Sequence, residues 1–491
     1  ASSLHADEQA AYRQRLQSQS RDAVIYVGSN DGMLHAFKAA KDHTTPGDGM
    51  ELFAYVPNAV VAYLPQLFQP TYTHRFYVDG SPVAGDANLG TATVPDWRTV
   101  LVGSTGAGGT GYFAIDVENP ASPKVLWEVG PLINGFANLG ATLGQAAIVR
   151  LSNGTWAAVV GNGVNSADDR AHLYFINLVS GALIADITAY NPSDAGKPNG
   201  MSSPLVIDKD NDGSADTVYV GDMLGNLWKF DIANNLTSRT ENTPFFKAER
   251  NGTKQPIFAR PDAMWNPEKD GTLLVFFGTG KFFEKEKSGF VGDLKDTSVQ
   301  SFYGVMDDGD SATKTRSQLA TQTIHTSPSG VGSYSAAGLR YVSNNDFSYD
   351  NKKGFMLDLV VSGQSAKGER VVNSPVLSNN WVLFSTLVPN PNDSDPCEVG
   401  STEAWLYMVS LKGARPDTTF DLNGDSKFDA NDQACNENGS ECVPTTIVWI
   451  KNPGPAITHG VFGHALGGSD EKPLDIELKK GAGRESWQQL R

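Results

Sequence analysis

The sequence is poor in cysteine, in charge and in long apolar runs. Only 3 of its 491 residues are cysteine and only 19% are Asp, Glu, Lys or Arg, which disfavours long helices and coiled coils. No apolar run reaches the roughly 18 residues that a membrane helix needs, so we expect a chain that does not span a membrane. Lys and Arg form no cluster, and the formal net charge is −16. Nucleic acid is therefore excluded as an expected partner.

The three cysteines, Cys397, Cys435 and Cys442, all lie in the last quarter of the chain. They allow one disulfide and one remaining thiol. Proximity favours the pair Cys435–Cys442, although Cys397 could pair with either. Neither C-x-x-C nor C-x-x-C-H occurs, so structural zinc and c-type haem are not indicated. The chain begins without Met or a signal peptide, and we expect a processed product or an excised fragment.

Glycine, with 50 residues, and aromatic residues, at 10%, are abundant instead. After a polar segment (1–20) that is compatible with a helix, short apolar runs recur with glycine and acidic turns between them, which is typical of β-strands. Each clear repeat is an apolar run, a turn containing glycine, and a second apolar run. The repeats are IYVGSNDGMLHAFK (25–38), VLVGSTGAGGTGYFAID (100–116), AVVGNGVNSADDRAHLYFINL (158–178) and VYVGDMLGNLWKFDI (218–232), with weaker echoes at 274–283 and 381–411.

The spacing of these repeats, about 60 residues, predicts sheets of roughly four strands, as in the blades of a β-propeller. We therefore predict an all-β fold in which residues 21–491 form a single propeller of about seven blades. Two polar stretches, at about 308–350 and 412–445, are predicted to be insertions, the first lying outside the blades. A large β-sandwich, or two packed all-β domains, is the alternative.

An acidic nonapeptide between two strand-like runs, DKDNDGSAD (208–216), is the strongest sign of chemistry. Its carboxylates alternate along the loop, as they do in EF-hand loops that bind Ca²⁺ through oxygen ligands. The predicted ligands are the side chains of Asp208, Asp210, Asp212 and Asp216 and the backbone carbonyl of Ser214. Gly213 permits the sharp turn, but Tyr219 stands where an EF-hand has its closing glutamate. Asp216 would have to replace that glutamate, and we expect a Kd on the order of 10⁻⁶ to 10⁻³ M. An acidic turn without metal is the alternative.

A second acidic loop, at 421–432, repeats this spacing and has an acid at its twelfth position. It resembles the calcium loop of dockerin modules, although Ser426 replaces the glycine at the sixth position. The residues of this second candidate Ca²⁺ site are Asp421, Asn423, Asp425, Lys427, Asp429 and Asp432. A solvated acidic loop is the alternative.

Two further patterns are interpreted as structural, and no catalytic residue is predicted. Gly106–Gly111 matches G-x-G-x-x-G, but a strand-like run follows where a dinucleotide fingerprint would open a helix, so a turn between strands is expected. Several histidines lie near apolar runs but belong to no metalloprotease or hydrolase motif, and we expect them to be hydrogen-bonded packing residues. They are His35, His74, His172, His459 and His464.

From about residue 20 to the end, the chain resembles the C-terminal domain of the PilY/PilC family of type IV pilus tip-associated adhesins and biogenesis factors. The segments that carry the resemblance are YVGSNDGMLHAF (26–37), ELFAYVP (51–57), HRFYVDGSP (74–82), GNGVNS (161–166), VYVGDMLGNLWKFD (218–231), FGTGKFF (277–283) and GRESWQQL (483–490). The resemblance implies a modified quinoprotein-like propeller. It also implies that the five residues of the loop at 208–216 are its calcium ligands.

The function implied by the resemblance is regulatory and adhesive rather than enzymatic. Ca²⁺ occupancy of the loop would control pilus extension against retraction, and so twitching motility and surface attachment. Export through the periplasm to the bacterial cell surface, the pilus tip or the outer membrane is implied, with pilins or minor pilins and a host-cell or abiotic surface as partners. No Arg-Gly-Asp motif is present, so integrin binding is not indicated.

Two other functions remain as alternatives. The first is a quinoprotein-type propeller oxidoreductase, which is disfavoured because the adjacent cysteine pair and haem motif common in those enzymes are absent. The second is a carbohydrate-binding propeller that uses exposed aromatic residues and in which calcium is only structural.

Overall fold

The computed structural model divides the chain into two compact units. The first comprises Ala1–Met223 and Leu227–Pro244, and the second comprises Leu224–Asn226 and Phe245–Arg491. The structure describes residues 4–18, 22–39, 47–283, 292–378, 380–390, 403–417, 420–425, 427 and 429–450, and the short strands at 458–459, 464–465 and 474–475.

Helix is scarce in the described residues. Helix α1 (Ala6–Ser18) confirms the short helix predicted at the N-terminal end, and α2 (Asn58–Val61) is a single turn. Acids in the first turn of α1 and Arg15 in its last turn both complement the helix dipole. Within the described part of the chain, neither helix has the length and apolar character needed to cross a bilayer.

The first unit is built from short antiparallel sheets. β1, β2 and β3 form one sheet, β4 to β7 a second, and β8 to β11 a third, to which β15 adds in parallel beside β11. β12, β13 and β14 pair in that order. The strands are β1 Val24–Gly28, β2 Leu34–Lys38, β3 Glu51–Tyr55, β4 Val83–Asn88, β5 Trp97–Ser104, β6 Tyr112–Asp116, β7 Lys124–Val129, β8 Ala147–Arg150, β9 Trp156–Gly161, β10 Ala171–Asn177, β11 Leu183–Ala189, β12 Leu205–Ile207, β13 Thr217–Gly221, β14 Asn226–Asp231 and β15 Arg239–Glu241.

The four clear sequence repeats each fold as one antiparallel hairpin. They give the pairs β1–β2, β5–β6, β9–β10 and β13–β14, and the turn containing glycine joins the two strands of each pair. Apolar side chains from successive sheets pack together; one buried cluster joins Val102 and Tyr112 to Val160 and Tyr174. Such meanders, stacked through apolar faces, are the building pattern of propeller blades.

The second unit contains one large mixed sheet. Its ten strands run in the order β19-β20-β21-β25-β23-β24-β31-β28-β27-β26. Outside this sheet, β16 pairs with β22, β17 with β18 and β29 with β30, and a small sheet has the order β32-β33-β34. The strands are β16 Phe246–Lys247, β17 Glu249–Arg250, β18 Thr253–Lys254, β19 Asp262–Trp265, β20 Leu273–Gly278, β21 Ser301–Asp307, β22 Lys314–Thr315, β23 Ala320–Thr326, β24 Leu339–Val342, β25 Gly354–Val361, β26 Val376–Ser378, β27 Trp381–Val388, β28 Glu403–Ser410, β29 Gln433–Cys435, β30 Cys442–Pro444, β31 Ile447–Ile450, β32 Thr458–His459, β33 His464–Ala465 and β34 Leu474–Asp475.

The two polar stretches predicted as insertions contain strands of their own. From 308–350, β23 pairs in parallel with β25 and β24 pairs with β31, so part of this stretch belongs to the large sheet. From 412–445, β29 and β30 form a hairpin closed by the disulfide Cys435–Cys442, which confirms the favoured pairing. Cys397 lies outside the described residues. The single-propeller boundaries and the count of about seven blades stay predictions.

Candidate metal centre

The acidic nonapeptide forms the turn between β12 and β13, at the end of an antiparallel hairpin of the first unit. The N–H of Asp216 donates to the carbonyl of Ile207 (2.9 Å), and the N–H of Ile232 donates to the carbonyl of Asp216 (2.8 Å). The loop is therefore held at its base by main-chain bonds to its own hairpin and to the end of β14.

Backbone N–H groups and a left-handed glycine fold the loop around Asp208. Gly213 has φ +96°, a conformation that glycine adopts without strain, and Asn211 has φ 59°. The carboxylate of Asp208 accepts the N–H of Asp212 at 3.1 Å and that of Gly213 at 2.7 Å. The turn chemistry expected at Gly213 is therefore present.

The other acids of the loop also accept backbone N–H groups. Asp210 Oδ1 accepts the N–H of Asp212 at 3.1 Å, and Asp212 Oδ1 accepts that of Ser214 at 2.7 Å. Asp216 Oδ2 accepts the N–H of Lys209 at 2.6 Å. These bonds orient the carboxylates and leave each with a second oxygen or further lone pairs for a cation.

Three of the predicted ligands converge. Asp208, Asp210 and Asp216 each offer a carboxylate oxygen, and these oxygens lie within 4.8 Å of one another. Oxygens that bind Ca²⁺ at about 2.3–2.6 Å can be at most about 5 Å apart, so the spacing fits a common cation. Asp212, the fourth predicted acid, is outside this trio, and its Oδ1 is engaged with Ser214 as described above. In the part of the chain that the structure describes, no other group of three His, Cys, Asp or Glu side chains converges in this way.

The electrostatics of the loop favour a positive ion. Burial raises the pKa of the Asp208 carboxyl, and the neighbouring Asp210 side chain raises it further, against the backbone N–H groups that lower it. Asp208 is only 4% exposed. A buried carboxylate beside like charges is stabilised when a cation replaces the proton that its raised pKa favours.

In the structure, Arg150 contacts the acidic loop at 208–216 and Glu8 contacts Arg150. No sequence motif indicated either residue. Arg150, the last residue of β8, donates from Nη1 to Ser214 Oγ at 3.0 Å, and its carbonyl accepts the N–H of Ala215 at 2.8 Å. Its Nη2 lies 3.7 Å from Glu8 Oε2, on helix α1, and both side chains are buried. Asn88 donates to the other Glu8 oxygen at 2.9 Å. The acidic loop at 208–216 is thus connected through one arginine to the N-terminal helix.

The second acidic loop is folded by the same kind of local bonds. Asp421 Oδ1 accepts the N–H of Gly424 at 2.7 Å, and Asp432 Oδ1 accepts that of Leu422 at 2.8 Å. Asn423, Asp425 and Asp429 each accept a backbone N–H two residues further on, at 2.8–2.9 Å.

Metal binding by this second loop stays a prediction. Burial raises the pKa of the Asp432 carboxyl, and the charge of Asp421 raises it further. Among the described residues, however, its acids do not form a converging trio like that of the first loop. Ser426 lies outside the described residues.

The glycine fingerprint is a turn, as expected. Gly106–Gly108 form a single 3-10 turn between β5 and β6. A Cβ on Gly108 would lie 1.8 Å from the carbonyl oxygen of Tyr77, so close main-chain approach requires glycine there without any dinucleotide.

Two of the histidines occupy a repeated polar arrangement. His35 lies 2.9 Å from Asp31 and 2.7 Å from Glu51. His172 lies 2.9 Å from Asp168 and 2.8 Å from Asp186, and in both cases the first acid is four residues earlier. Burial lowers the pKa of His172, but the two carboxylates outweigh it and the pKa is raised. Both histidines are therefore hydrogen-bonded packing residues, as expected. The side chains of His459 and His464 lie outside the described residues.

Several known proteins are similar to this chain in sequence and fold. A family model described as the PilY1 beta-propeller domain matches residues 6–327. Type IV pilus biogenesis factor PilY1 of Pseudomonas aeruginosa PAO1 is 36% identical over 443 residues, covering 82% of this chain and 36% of its own length. A PilY1 homolog of Xylella fastidiosa is 32% identical over 533 residues, covering 99% of this chain and 34% of its own. The chain thus spans about a third of the length of these relatives.

The crystal structure of the Pseudomonas aeruginosa PilY1 C-terminal domain is similar in fold. It is 30% identical to this chain, each chain covers 98% of the other, and the TM-score is 0.77. The predicted all-β propeller class is confirmed by this match and by the family model. The resemblance stated from sequence motifs is confirmed as well: the chain belongs to the PilY1 β-propeller family.

Proposed function

We propose that this chain is the calcium-binding domain of a type IV pilus biogenesis factor and adhesin. Ca²⁺ occupancy of the loop at 208–216 would regulate pilus extension against retraction, and thereby twitching motility and surface attachment. The observation that carries the proposal is the converging trio Asp208, Asp210 and Asp216 on a hairpin of a PilY1-family chain.

The loop has a physical means of sensing Ca²⁺. Without a cation, the three carboxylates repel one another; a bound ion removes that repulsion and stiffens the turn between β12 and β13. Because Arg150 bonds both the main chain and a side chain of the loop, the change reaches β8 as well as the hairpin. Such a local charge event can bias a surface that a partner recognises.

The names of the relatives support a proposal for the partners and the cellular location of this chain. These are called type IV pilus biogenesis factors, so we propose pilins or minor pilins as partners and the bacterial surface, pilus tip or outer membrane, reached through the periplasm, as the location. A host-cell or abiotic surface is the proposed target of attachment. We propose no catalytic activity, since the converging acidic side chains of the chain suit a cation site and the relatives named above are called biogenesis factors.

The binding experiment compares wild type with Asp216→Ala by calorimetric titration with Ca²⁺ and, separately, Mg²⁺. We expect wild type to bind Ca²⁺ with a Kd on the order of 10⁻⁶ to 10⁻³ M and the variant at least about tenfold more weakly. Asp231→Asn, an exposed acid at the end of β14 in the same unit, is the matched control. Equal Ca²⁺ affinity in wild type and Asp216→Ala would refute the assigned loop.

The cellular experiment introduces Asp216→Ala into the full-length protein and scores surface pili and twitching. We expect altered piliation and reduced twitching, with Asp231→Asn behaving as wild type. If Ca²⁺ binding is lost in vitro but piliation and twitching are unchanged, the loop binds metal and the regulatory role is wrong.

A further inference from the structure

The second unit carries a surface pocket of ≈ 410 Å³. Its lining includes Asn344, Asp346, Trp381, Ser410, Lys412 and Arg415. One wall comes from the polar stretch 308–350 and another from the start of 412–445, the two segments predicted as insertions. The β27–β28 hairpin supplies the remainder, because Trp381 and Ser410 are directly paired across it. Segments of this kind, carried on a rigid sheet, are where binding residues concentrate.

The walls of the pocket are fixed to one another by hydrogen bonds. The N–H of Arg415 donates to the carbonyl of Ser343 at 3.2 Å. Gln322, buried on β23, donates from Nε2 to the carbonyls of both Asn345 (2.7 Å) and Lys412 (3.2 Å). A pocket held in this way loses little freedom when a ligand binds, which favours affinity.

The two basic side chains that line the pocket, Lys412 and Arg415, differ in the contacts that they already make within the protein. Lys412 Nζ lies 2.9 Å from a carboxylate oxygen of Asp346 and 2.9 Å from one of Glu268, so its charge is satisfied within the protein. The guanidinium of Arg415 stands 5.6 Å from the centre of the Tyr341 ring. In the described chain, no ion pair joins it to a carboxylate. Arg415 is therefore the cation that remains available for an anionic ligand.

The other lining groups match a sugar rather than a bare anion. The half-buried indole of Trp381 gives an apolar surface against which the C–H face of a pyranose ring can pack. The amide of Asn344 and the hydroxyl of Ser410 can donate hydrogen bonds to ring hydroxyls and accept them, and the carboxylates of Asp346 and Asp417 can accept them. The volume lies within the range of small-ligand pockets, about 300–1,000 Å³.

We propose that this pocket binds a sugar residue that carries a carboxylate, a uronic acid. The guanidinium of Arg415 pairs with the sugar carboxylate, for which its planar, forked donors are suited. Trp381 contacts the ring, and the polar rim orients the hydroxyls. The exposed Asp417 disfavours a ligand with a second negative charge nearby. This site does not depend on the calcium loop.

The test titrates the purified 491-residue chain with D-galacturonate and a short oligogalacturonate, followed by NMR or calorimetry. D-Galactose, acetate and inorganic phosphate are the comparison ligands. We expect galacturonate to bind at least about tenfold more tightly than galactose or acetate, because it alone combines the charge with the ring. Equal binding of galactose and galacturonate, tighter binding of acetate or phosphate, or no saccharide binding at up to about 10 mM would overturn the proposal.

Variants separate the charge contact from the ring contact. Arg415→Gln is expected to remove the preference for galacturonate over galactose, whereas Arg13→Gln, on helix α1, is the matched control and should keep it. Because Trp381 also packs on a core cluster, Trp381→Phe rather than alanine is used to preserve the fold, and we expect weaker binding of both sugars. Unchanged galacturonate preference in a folded Arg415→Gln protein would refute the assigned contact.

Discussion

Replacing Asp210 by asparagine should stabilise the protein in the absence of Ca²⁺ and remove most of the stabilisation that Ca²⁺ provides. Asp210 is exposed, and Oδ1 of its side chain accepts the N–H of Asp212; asparagine keeps an oxygen at that position. The substitution therefore removes one charge and little else. In the apo protein that charge repels the neighbouring carboxylates, whereas in the proposed Ca²⁺-bound protein the same carboxylate would be a ligand.

The size of both effects follows from the spacing of the trio. Oxygens of Asp210, Asp208 and Asp216 lie within 4.8 Å of one another. Two unit charges at that distance repel by about 3.5 kcal/mol at an effective dielectric of 20 and by about 0.9 kcal/mol in water. Since Asp210 is exposed, the lower figure applies, and losing its two repulsive pairs should stabilise the apo protein by about 1–2 kcal/mol. Ca²⁺ at about 100 times its Kd should stabilise wild type by about 2.7 kcal/mol.

Thermal unfolding in EDTA and in Ca²⁺ measures both effects. For a cooperative unit of about 200 residues, 1 kcal/mol corresponds to about 2–4 °C. Wild type should therefore gain about 5–11 °C on adding Ca²⁺, and Asp210→Asn should melt about 2–8 °C higher than wild type in EDTA. Asp231→Asn is again the control. The reasoning fails if Asp210→Asn melts lower than wild type in EDTA, or if its gain from Ca²⁺ equals that of wild type.

Three further predictions concern other parts of the structure. Arg150→Met should lower the free energy of unfolding by about 3–5 kcal/mol, because it leaves the buried Glu8 carboxylate without its cation. Adding Glu8→Gln should recover part of that loss in denaturant titrations, and a double variant no more stable than the single variant would contradict this. The pKa of His172 is raised in the folded protein, so the stability that its protonated form contributes is full below about pH 6.5 and is lost as the pH rises through the folded-state pKa. His172→Gln should therefore flatten the decline of the free energy of unfolding above about pH 6.5. Parallel curves of stability against pH for variant and wild type would refute this role of His172. Replacing Cys435 and Cys442 together by serine should lower the free energy of unfolding by about 2.5 kcal/mol, because the loop that the disulfide closes is released. Hydrogen exchange in the β29–β30 hairpin should become faster. Unchanged exchange there would show that the disulfide does not order the hairpin.

The parts of the structure that could be predicted are those set by neighbours in sequence. Each apolar run, turn with glycine and second apolar run became a hairpin, because strand alternation and turn conformation are both local properties. The turn conformation of the acidic loop at 208–216 was predictable for the same reason: its carboxylates, its left-handed glycine and its flanking strands all lie within a short segment.

The parts that could not be predicted depend on distant partners. Strand β23 lies in a Ser/Thr-rich stretch and buries Gln322 as well as Ile324, so its inward face is partly polar and its pattern is weak. The amide of Gln322 is satisfied by carbonyls far along the chain, which the sequence does not reveal. Arg150 and Glu8 were missed for the same reason, since neither belongs to a local motif and they meet only through the packing of α1 on the sheets. The exclusion of Asp212 from the converging trio reflects the path of the backbone, which ligand spacing alone does not fix.

The connection between helix α1 and the acidic loop at 208–216 also has a mechanical consequence. Arg15 anchors the far end of α1 to Asp86 at 2.9 Å and to Glu118 at 2.7 Å, while Glu8 at the near end faces Arg150. A tensile load applied through α1 would be divided between these two attachments. The share carried by Glu8 would pull on Arg150, which holds the acidic turn at 208–216 by its side chain and its carbonyl. Tension on the helix and occupancy of the proposed Ca²⁺ site would then act on the same few bonds, so force on the helix should change the rate at which Ca²⁺ leaves that proposed site.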